Sequence, residues 1–400
     1  MTTAANPMPY LLSDGALERI AAIAQAPLRY GHHVRILHDG ALAFPTMLAV
    51  IRTAKRAICF ENFIFANDGT GQEFAAALER ARSRGADVRV LYDPIGTLLV
   101  KGGSIARRLR RAAVRARPFR PLSMAAPWSW LHLRHRDHRK LLIADDVAAV
   151  VGGICIADHW APAEHGGSGW RDTAVLLRGP AVADLQLAFE RMWRRALGPM
   201  VESFTTLLEG QALTLPPPRG DARVVVVGDR PRTQRVAALY EWLADHAETS
   251  IEIADAYFVA PERVFQALVR AAQRGVAVRL LLPGRTNHPI AGLAARRIYE
   301  PMLVAGAEIY EWNGVMLHAK TCVIDGVISM VGSSNLDPLS LHRNYELNVL
   351  IADQKTGDTM RDVFAGDMAR ATPVQLDDWR GRPWRYKMAE WLAGLFGWNL

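Results

Sequence analysis

The chain has 400 residues, half of them hydrophobic and 22% charged, a balance typical of a globular protein of two or so domains. Its net charge of +8 favours an anionic partner: nucleic acid, a phosphate ester or an anionic membrane surface. Three scattered cysteines exclude a disulfide framework and a cysteine-rich zinc site. The sequence shows no signal peptide and no uncharged apolar run near the roughly 18 residues that span a bilayer, which predicts a soluble or peripheral protein.

Strands and helices are predicted to alternate through the first half. Residues 1–30 are predicted to form a leader helix capped by Asp14, followed by a strand at 34–37 and a turn at Asp39-Gly40. Further on, the predicted helices cover 48–57 and 71–84, and the predicted strands cover 57–65 and 86–93. This alternation favours an α/β layered sandwich.

The second half repeats this pattern, so the chain is predicted to be a tandem duplication. Asp255 is placed opposite Glu61, 194 positions apart, and Arg274-Gly275 answers Arg84-Gly85 at 190. The offset falls to 180 further along, so the first half is expected to carry about fourteen extra residues, most of them between Asp93 and His138. The predicted division is a leader at 1–30, a first domain at 31–211, a linker at 212–220, a second domain at 221–375 and a tryptophan-rich tail at 376–400.

A repeated motif, H-x-K-x-x-x-x-D, is the strongest signal in the sequence. The first copy is His138, Lys140 and Asp145; the second, 180 positions later, is His318, Lys320 and Asp325. Since residues i and i+2 of a strand point to one face, each copy is expected to set an imidazole beside an ammonium at a strand start. Each motif is predicted to open a hairpin whose second strand ends in Gly152-Gly153 or Gly332-Ser333, a geometry that suits a phosphate.

Two imidazoles facing one phosphorus atom supply what phosphodiester transfer needs. One must be neutral to attack, and the other must be protonated to release the leaving alkoxide. Lys140 and Lys320 would stabilise charge on the phosphoryl oxygens, and the sequence shows no cluster of metal ligands. Each histidine also needs an orienting carboxylate, and Glu346 and Asp172 follow His318 and His138 at similar distances.

Two further stretches have two interpretations each. A basic run and the tryptophans after it, Trp128 and Trp130, form either a solvated face or a lip that meets anionic headgroups. Trp384, Trp391 and Trp398 recur every seven residues, with Leu395 nearby, and either dock on the protein core or lie in a membrane interface. The arginines of the basic run are Arg107, Arg108, Arg110, Arg111, Arg115 and Arg117.

The doubled motif and its surroundings resemble the phospholipase D superfamily, most closely the bacterial cardiolipin synthases that lack N-terminal membrane helices. The second half contributes the stretches 331–341, 344–346 and 255–259 to this resemblance. The first half contributes 60–65, 92–96 and the motif with Gly152-Gly153. The resemblance spans roughly residues 31–375.

This resemblance implies an α/β fold of two similar α/β/α sandwich domains with mixed sheets, related by a pseudo-twofold axis and sharing one active site. It also implies a metal-independent, cofactor-free mechanism through a phosphatidyl-histidine, with His138 as nucleophile and His318 as acid and base. The motif aspartates Asp145 and Asp325 are then mostly structural. Ser333 and Asn335 help to bind phosphate and lysine, whereas Gly153 and Cys155 stand at these places in the first copy.

For this branch, the implied reaction joins a phosphatidyl group to the hydroxyl of phosphatidylglycerol and releases glycerol. The implied location is peripheral, on the cytoplasmic face of the bacterial inner membrane, with phospholipid substrates at an anionic surface. The alternatives are a hydrolytic phospholipase D, a nuclease of the same superfamily and an inactive lipid-binding scaffold. No nucleic-acid partner is expected, because the sequence shows no added nucleic-acid module, and the oligomeric state stays open.

Overall fold

The computed structural model describes residues 9–99, 103–122, 135–198 and 214–396. Within these ranges the strands are β1 (Leu28–His38), β2 (Ala57–Asn62), β3 (Asp87–Tyr92), β4 (Arg115–Pro118), β5 (Lys140–Ala144), β6 (Ala148–Gly152), β7 (Thr173–Arg178), β8 (Ala222–Asp229), β9 (Ser250–Asp255), β10 (Ala277–Pro283), β11 (Glu308–Trp312), β12 (Lys320–Ile324), β13 (Ile328–Gly332), β14 (Glu346–Ala352) and β15 (Ala371–Pro373). The α-helices are α1 (Asp14–Ala24), α2 (Asp39–Thr53), α3 (Gly69–Ser83), α4 (Pro94–Leu99), α5 (Gly103–Arg111), α6 (Ala181–Arg195), α7 (Arg235–His246), α8 (Glu262–Gln273), α9 (Pro289–Ala295), α10 (Tyr299–Val304), α11 (Pro338–His342), α12 (Gln354–Met368), α13 (Leu376–Gly381) and α14 (Trp384–Phe396).

All these strands join one continuous sheet whose two halves have the same strand order. From the centre, the first half runs β1-β7-β6-β5-β2-β3-β4, and the second runs β8-β14-β13-β12-β9-β10-β11, with β15 at the outer edge. The central pair, β1 and β8, is antiparallel. In each half the three outer strands of this order are parallel and the inner ones antiparallel, so the sheet is mixed. The predicted duplicated α/β fold is confirmed.

Helices cover both faces of this sheet. On one face, α2 and α3 pack on the first half, and α1, α7 and α8 pack on the second, each group enclosing its own apolar core. On the reverse face, α6 places Phe189 and Met192 in a core shared with Val226 and Leu347 of the second half. Because α6 packs on strands of both halves, it bridges the junction between them.

The strand register corrects the predicted pairing of Glu61 with Asp255. Lys320 lies opposite Asp255 in β9, and the equivalent Lys140 lies opposite Asn62 in β2. Asn62 is therefore the counterpart of Asp255. Side chains alternate between faces, so this slip of one residue puts Glu61 on the reverse face of the sheet, where its carboxylate binds Arg139 at 2.6 Å.

Smaller differences concern helix starts and the ends of the chain. Ser13, not Asp14, caps α1, and Asp39-Gly40 begins α2 instead of forming a turn. Strand β1 begins inside the predicted leader, and the division at 212–220 stays a prediction. Trp128, Trp130, Trp398 and residues 199–213 lie outside the described ranges. No helix in the described ranges is long and apolar enough to span a bilayer.

Candidate active site

Each motif histidine lies just before a strand that begins with the motif lysine. His138 precedes Lys140 at the start of β5, and His318 precedes Lys320 at the start of β12. Both lysines are buried. The Nζ atom of Lys320 lies 3.0 Å from His318 Nδ1. The i, i+2 spacing therefore sets an ammonium beside an imidazole, as the strand geometry predicts.

The orienting carboxylates are exchanged between the two halves. His138 Nδ1 lies 3.0 Å from Glu346 Oε1, and His318 Nδ1 lies 2.7 Å from Asp172 Oδ2. The sequence spacing pointed to both carboxylates but did not indicate this exchange. Each half thus gives an imidazole to one pair and a carboxylate to the other, which makes the site a single unit.

Backbone hydrogen bonds between the halves build this exchange. The amide of His138 donates to the carbonyl of Tyr345 at 3.0 Å, next to Glu346. The amide of His318 donates to the carbonyl of Arg171 at 2.7 Å, next to Asp172. The entry to each motif strand is therefore fixed by the loop that carries the other half's carboxylate.

The surroundings of Glu346 are small and polar. Ser333 Oγ donates to Glu346 Oε2 at 2.5 Å and accepts from the amide of Leu347 at 3.0 Å. The ring of Phe63 meets His138 edge to face at 4.9 Å. Burial raises the pKa of Glu346 to about 8, although Lys140 opposes this shift. Burial therefore disfavours the charged form of Glu346.

The surroundings of Asp172 are aromatic and support its charge. Trp160 Nε1 donates to Asp172 Oδ2 at 2.9 Å. Burial alone would raise the pKa of Asp172, but the charges of His318 and Lys320 and the hydrogen bonds from His318 and Trp160 lower it below its ordinary value. The rings of Trp160, Trp170 and Tyr257 lie 5.2, 5.8 and 6.3 Å from the His318 ring.

Gly153 is explained by this arrangement. A Cβ atom at residue 153 would lie 2.2 Å from Asp172 Oδ1, closer than any real side chain tolerates. Residue 153, which corresponds to Ser333 of the second copy, can therefore have no side chain. Trp160 is the side-chain donor to Asp172, as Ser333 is the side-chain donor to Glu346. Phe63 lies in the stretch 60–65 that contributes to the family resemblance, whereas no sequence pattern singled out Trp160 or Trp170.

Burial and the two lysines lower the pKa of both imidazoles. For His318 the pKa falls to about 3, and for His138 it lies well below the ordinary value. Burial also lowers the pKa of Lys320 to about 8. Burial and the lysines therefore disfavour the protonated form of both rings in the free protein. A bound anion would offset the lysine charges and raise the pKa of an adjacent imidazole.

The motif aspartates lie at the opposite ends of their strands. Asp145 accepts hydrogen bonds from the amides of Lys55, Arg56 and Ala57 at 2.7–2.9 Å. Asp325 accepts from the amides of Glu248, Thr249 and Ser250 in the same way. Both carboxylates thus anchor the start of a neighbouring strand, away from the imidazoles, which fits the mostly structural role that the resemblance implies for them.

Asp255 and Asn335 do lie in the shell of the site. Asp255 faces Lys320 in the strand register and accepts from the amides of Tyr257 and Leu336 at 2.9 and 3.0 Å. Burial raises the pKa of Asp255 to about 7, and Lys320 opposes this. Asn335 is buried, and its amide nitrogen lies 3.3 Å from Ser340 Oγ.

Glu61 and Cys155 form no hydrogen bond with the motif histidines. Glu61 lies on the reverse face with Arg139 and takes no part in the shell. Cys155, at the position of Asn335 in the first copy, is buried in an apolar core, and burial raises the pKa of its thiol. No three His, Cys, Asp or Glu side chains within the described ranges come together as a metal site.

Comparison with known proteins agrees with this geometry. A family model described as cardiolipin synthase, phospholipase D-like domain, matches residues 47–193 and 242–368. A protein named cardiolipin synthase from Halalkalibacterium halodurans is 30% identical over 368 residues, covering 92% of this chain and 72% of that one. Another of that name, from Geobacillus thermodenitrificans, is 30% identical over 373 residues, covering 93% and 73%.

The fold also has solved counterparts. The crystal structure of phosphatidylserine synthase from Haemophilus influenzae superposes with a TM-score of 0.71 over 95% of this chain and 96% of that chain, at 13% identity. Polyphosphate kinase from Porphyromonas gingivalis gives 0.55 over 98% and 57%, at 12% identity. At these identities the likeness concerns the fold alone. With the doubled motif, the exchanged pairs and the family match together, the predicted resemblance is confirmed, and the chain belongs to the cardiolipin synthase family of phospholipase D-like proteins.

Proposed function

We propose that this protein is a phosphatidyltransferase of the cardiolipin synthase type. It moves a phosphatidyl group from phosphatidylglycerol, or a similar phospholipid, to an alcohol acceptor through a phosphohistidine. The observation that carries the proposal is the pair of imidazoles, each held by a carboxylate of the other half, with a buried lysine beside each. The names of the relatives support the lipid class of the substrate.

In the first step, His138 attacks the phosphorus atom of the donor lipid. Its Nδ1 is occupied by Glu346, so Nε2 is the atom that forms the P–N bond. The bond from phosphorus to the glycerol oxygen breaks, and the leaving alkoxide takes a proton from Nε2 of His318. Lys140 and Lys320 stabilise the charge on the non-bridging oxygens as it builds.

For His318 to act as an acid it must first be protonated. Its low pKa in the free protein comes from burial and from the neighbouring Lys320. A phosphodiester anion between the lysines cancels part of that repulsion, and the ionised Asp172 favours the imidazolium. The binding of the substrate therefore prepares the acid that the first step needs.

In the second step, the acceptor replaces the histidine on phosphorus. The acceptor hydroxyl gives its proton to Nε2 of His318, its oxygen bonds to phosphorus and the P–N bond to His138 breaks. Phosphatidylglycerol as acceptor yields cardiolipin, with glycerol released in the first step. Water as acceptor yields phosphatidic acid. We place the reaction at an anionic membrane surface, since the substrates are lipids, and assign it to the cytoplasmic face of the inner membrane as part of the proposal.

Product analysis tests the proposal directly. Purified protein is incubated with phosphatidylglycerol vesicles, with and without phosphatidylethanolamine or a short alcohol, and the lipids are separated. Cardiolipin together with glycerol is the expected result. Phosphatidic acid alone identifies a hydrolytic phospholipase D. No lipid product, with cleavage of DNA in a parallel sample, identifies a nuclease, and no product in either sample points to a lipid-binding scaffold.

A further inference from the structure

Helix α14 turns an apolar stripe away from the protein. Trp384 and Trp391 are 72% and 56% exposed, and Met388 and Leu392 are exposed as well. These four residues are spaced i, i+4, i+7 and i+8, so they share one face of the helix. In a helix that packs on its own protein, this is the face that should be buried.

The buried side of α14 is instead formed by Glu390 and Ala393. Glu390 forms a bidentate ion pair with Arg382, with N–O distances of 2.6 and 3.1 Å. The helix packs against α9, which itself exposes Ile290. The helix is therefore held by its polar and small residues, and its two large tryptophans are left outside.

This helix lies close to the candidate site. The segment that leads from β10 into α9 contains Asn287 and His288. Tyr257 donates to Asn287 Oδ1 at 2.6 Å, its ring lies 5.4 Å from that of His288, and it also faces His318. Helix α9 begins directly after this segment and packs against α14. The exposed stripe is thus connected to the wall of the His318 pocket by a short series of packed contacts.

The charges on α14 select among possible occupants of the stripe. Arg385 and Lys387 are exposed on the same helix, within the first turn. A second copy that packed its own α14 on the stripe would offer these cations no exposed carboxylate, because Glu390, the acid of this helix, is buried in its pair with Arg382. Tryptophans flanked by basic residues suit a bilayer with anionic headgroups, where the indoles sit at interface depth and the cations meet phosphates.

We infer that α14 is a membrane-docking element, whose stripe of Trp384, Met388, Trp391 and Leu392 enters the surface of an anionic bilayer on the side of the protein where α9 leads to Tyr257 and His318. The inference rests on the proposed function for its substrate, since it gives the phospholipid a reason to meet the site at this edge. With α14 in the interface, the headgroup reaches the two imidazoles while the acyl chains stay in the bilayer.

The test compares vesicle binding of W384A/W391A with that of Y30A, which removes another exposed aromatic side chain, in strand β1. All variants carry H138A so that turnover does not change the vesicles. Co-sedimentation is measured with vesicles of phosphatidylcholine containing about one third phosphatidylglycerol. We expect W384A/W391A to bind roughly tenfold or more weakly than the parent, and Y30A to bind equally well. Thermal unfolding should be unchanged in both, because the side chains are exposed.

A second measurement uses the same substitutions in the active protein. Turnover of a short-chain phosphatidylglycerol, kept monomeric in solution, should be unchanged, while turnover on vesicles should fall. Equal vesicle binding by W384A/W391A and the parent would overturn the inference, as would a change only in oligomeric state. Weak binding by the variant, in a protein that makes no lipid product at all, would sink the proposed function but leave the docking helix in place.

Discussion

The two carboxylate–imidazole pairs share one geometry but are supported by different side chains. Both pairs join the two halves. Beside each pair, the backbone amide of the motif histidine donates to a carbonyl in the loop that carries the other half's carboxylate. Beyond that, Glu346 takes its side-chain donor from Ser333, and Asp172 takes its donor from Trp160. The duplication kept the backbone crossing and let the supporting side chains diverge.

The differences compensate one another. Asp172 is one methylene shorter than Glu346, and its carboxylate lies so close to residue 153 that no Cβ atom fits there. Glycine replaces serine at that position, and the indole N–H of Trp160 supplies a donor from another direction. The pKa values of the carboxylates separate as a result: that of Glu346 is raised by burial, and that of Asp172 is lowered by His318, Lys320 and Trp160 in spite of burial.

This separation fits two different tasks. Burial disfavours charge on Glu346 and gives less support to a protonated His138, which suits a nucleophile, whereas Asp172, whose pKa is lowered, favours a protonated His318, which suits an acid. The proposed assignment of His138 as nucleophile and His318 as acid and base then has a physical reason in this chain.

The largest effect is expected from H138A and H318A. Each should reduce turnover on phosphatidylglycerol by about a thousandfold or more, since one removes the nucleophile and the other the proton donor. A donor lipid with a p-nitrophenol leaving group needs no acid, so H318A should still release one equivalent of p-nitrophenol, and H138A none. Release by H138A but not by H318A would reverse the assigned tasks.

A smaller but still large effect is expected from G153A. The added methyl group would collide with the Asp172 carboxylate and displace it from His318, so we expect turnover to fall by roughly a hundredfold. The matched control is G15A in α1, where a Cβ atom meets nothing within 4 Å and alanine favours the helix. Full activity of G153A would show that the Asp172 position is not needed.

The smallest effects should distinguish the two donors. W160F removes a hydrogen bond to a carboxylate whose pKa is lowered and should reduce kcat by about tenfold or more, whereas S333A removes one to a carboxyl whose charge burial disfavours and should reduce kcat only a few-fold. Without the indole donor the pKa of Asp172 rises, so the acid limb of the W160F pH–rate profile should move to higher pH. Equal losses in both variants, or an unmoved acid limb in W160F, would contradict the asymmetry.

The sequence predicted the fold and the main groups of the site because these follow from local patterns. The doubled motif, the two later acids and the glycines are all visible in short stretches. The exchange of Asp172 and Glu346 is not, since it depends on which loop each motif strand crosses in three dimensions. Glu61 was paired wrongly with Asp255 because both residues are acidic. Since side chains alternate between the two faces of a strand, this error of one residue placed Glu61 on the wrong face. Trp160 had no motif to mark it.

The exchanged pairs also mean that neither half is self-sufficient. A polypeptide with only the first half would present His138 without its carboxylate, and Asp172 without a histidine to hold. Competence for chemistry is therefore a property of the junction, and it is created only when β1 and β8 meet and α6 packs on strands of both halves. A change that loosens this junction withdraws support from both imidazoles at once, even when it lies far from either ring.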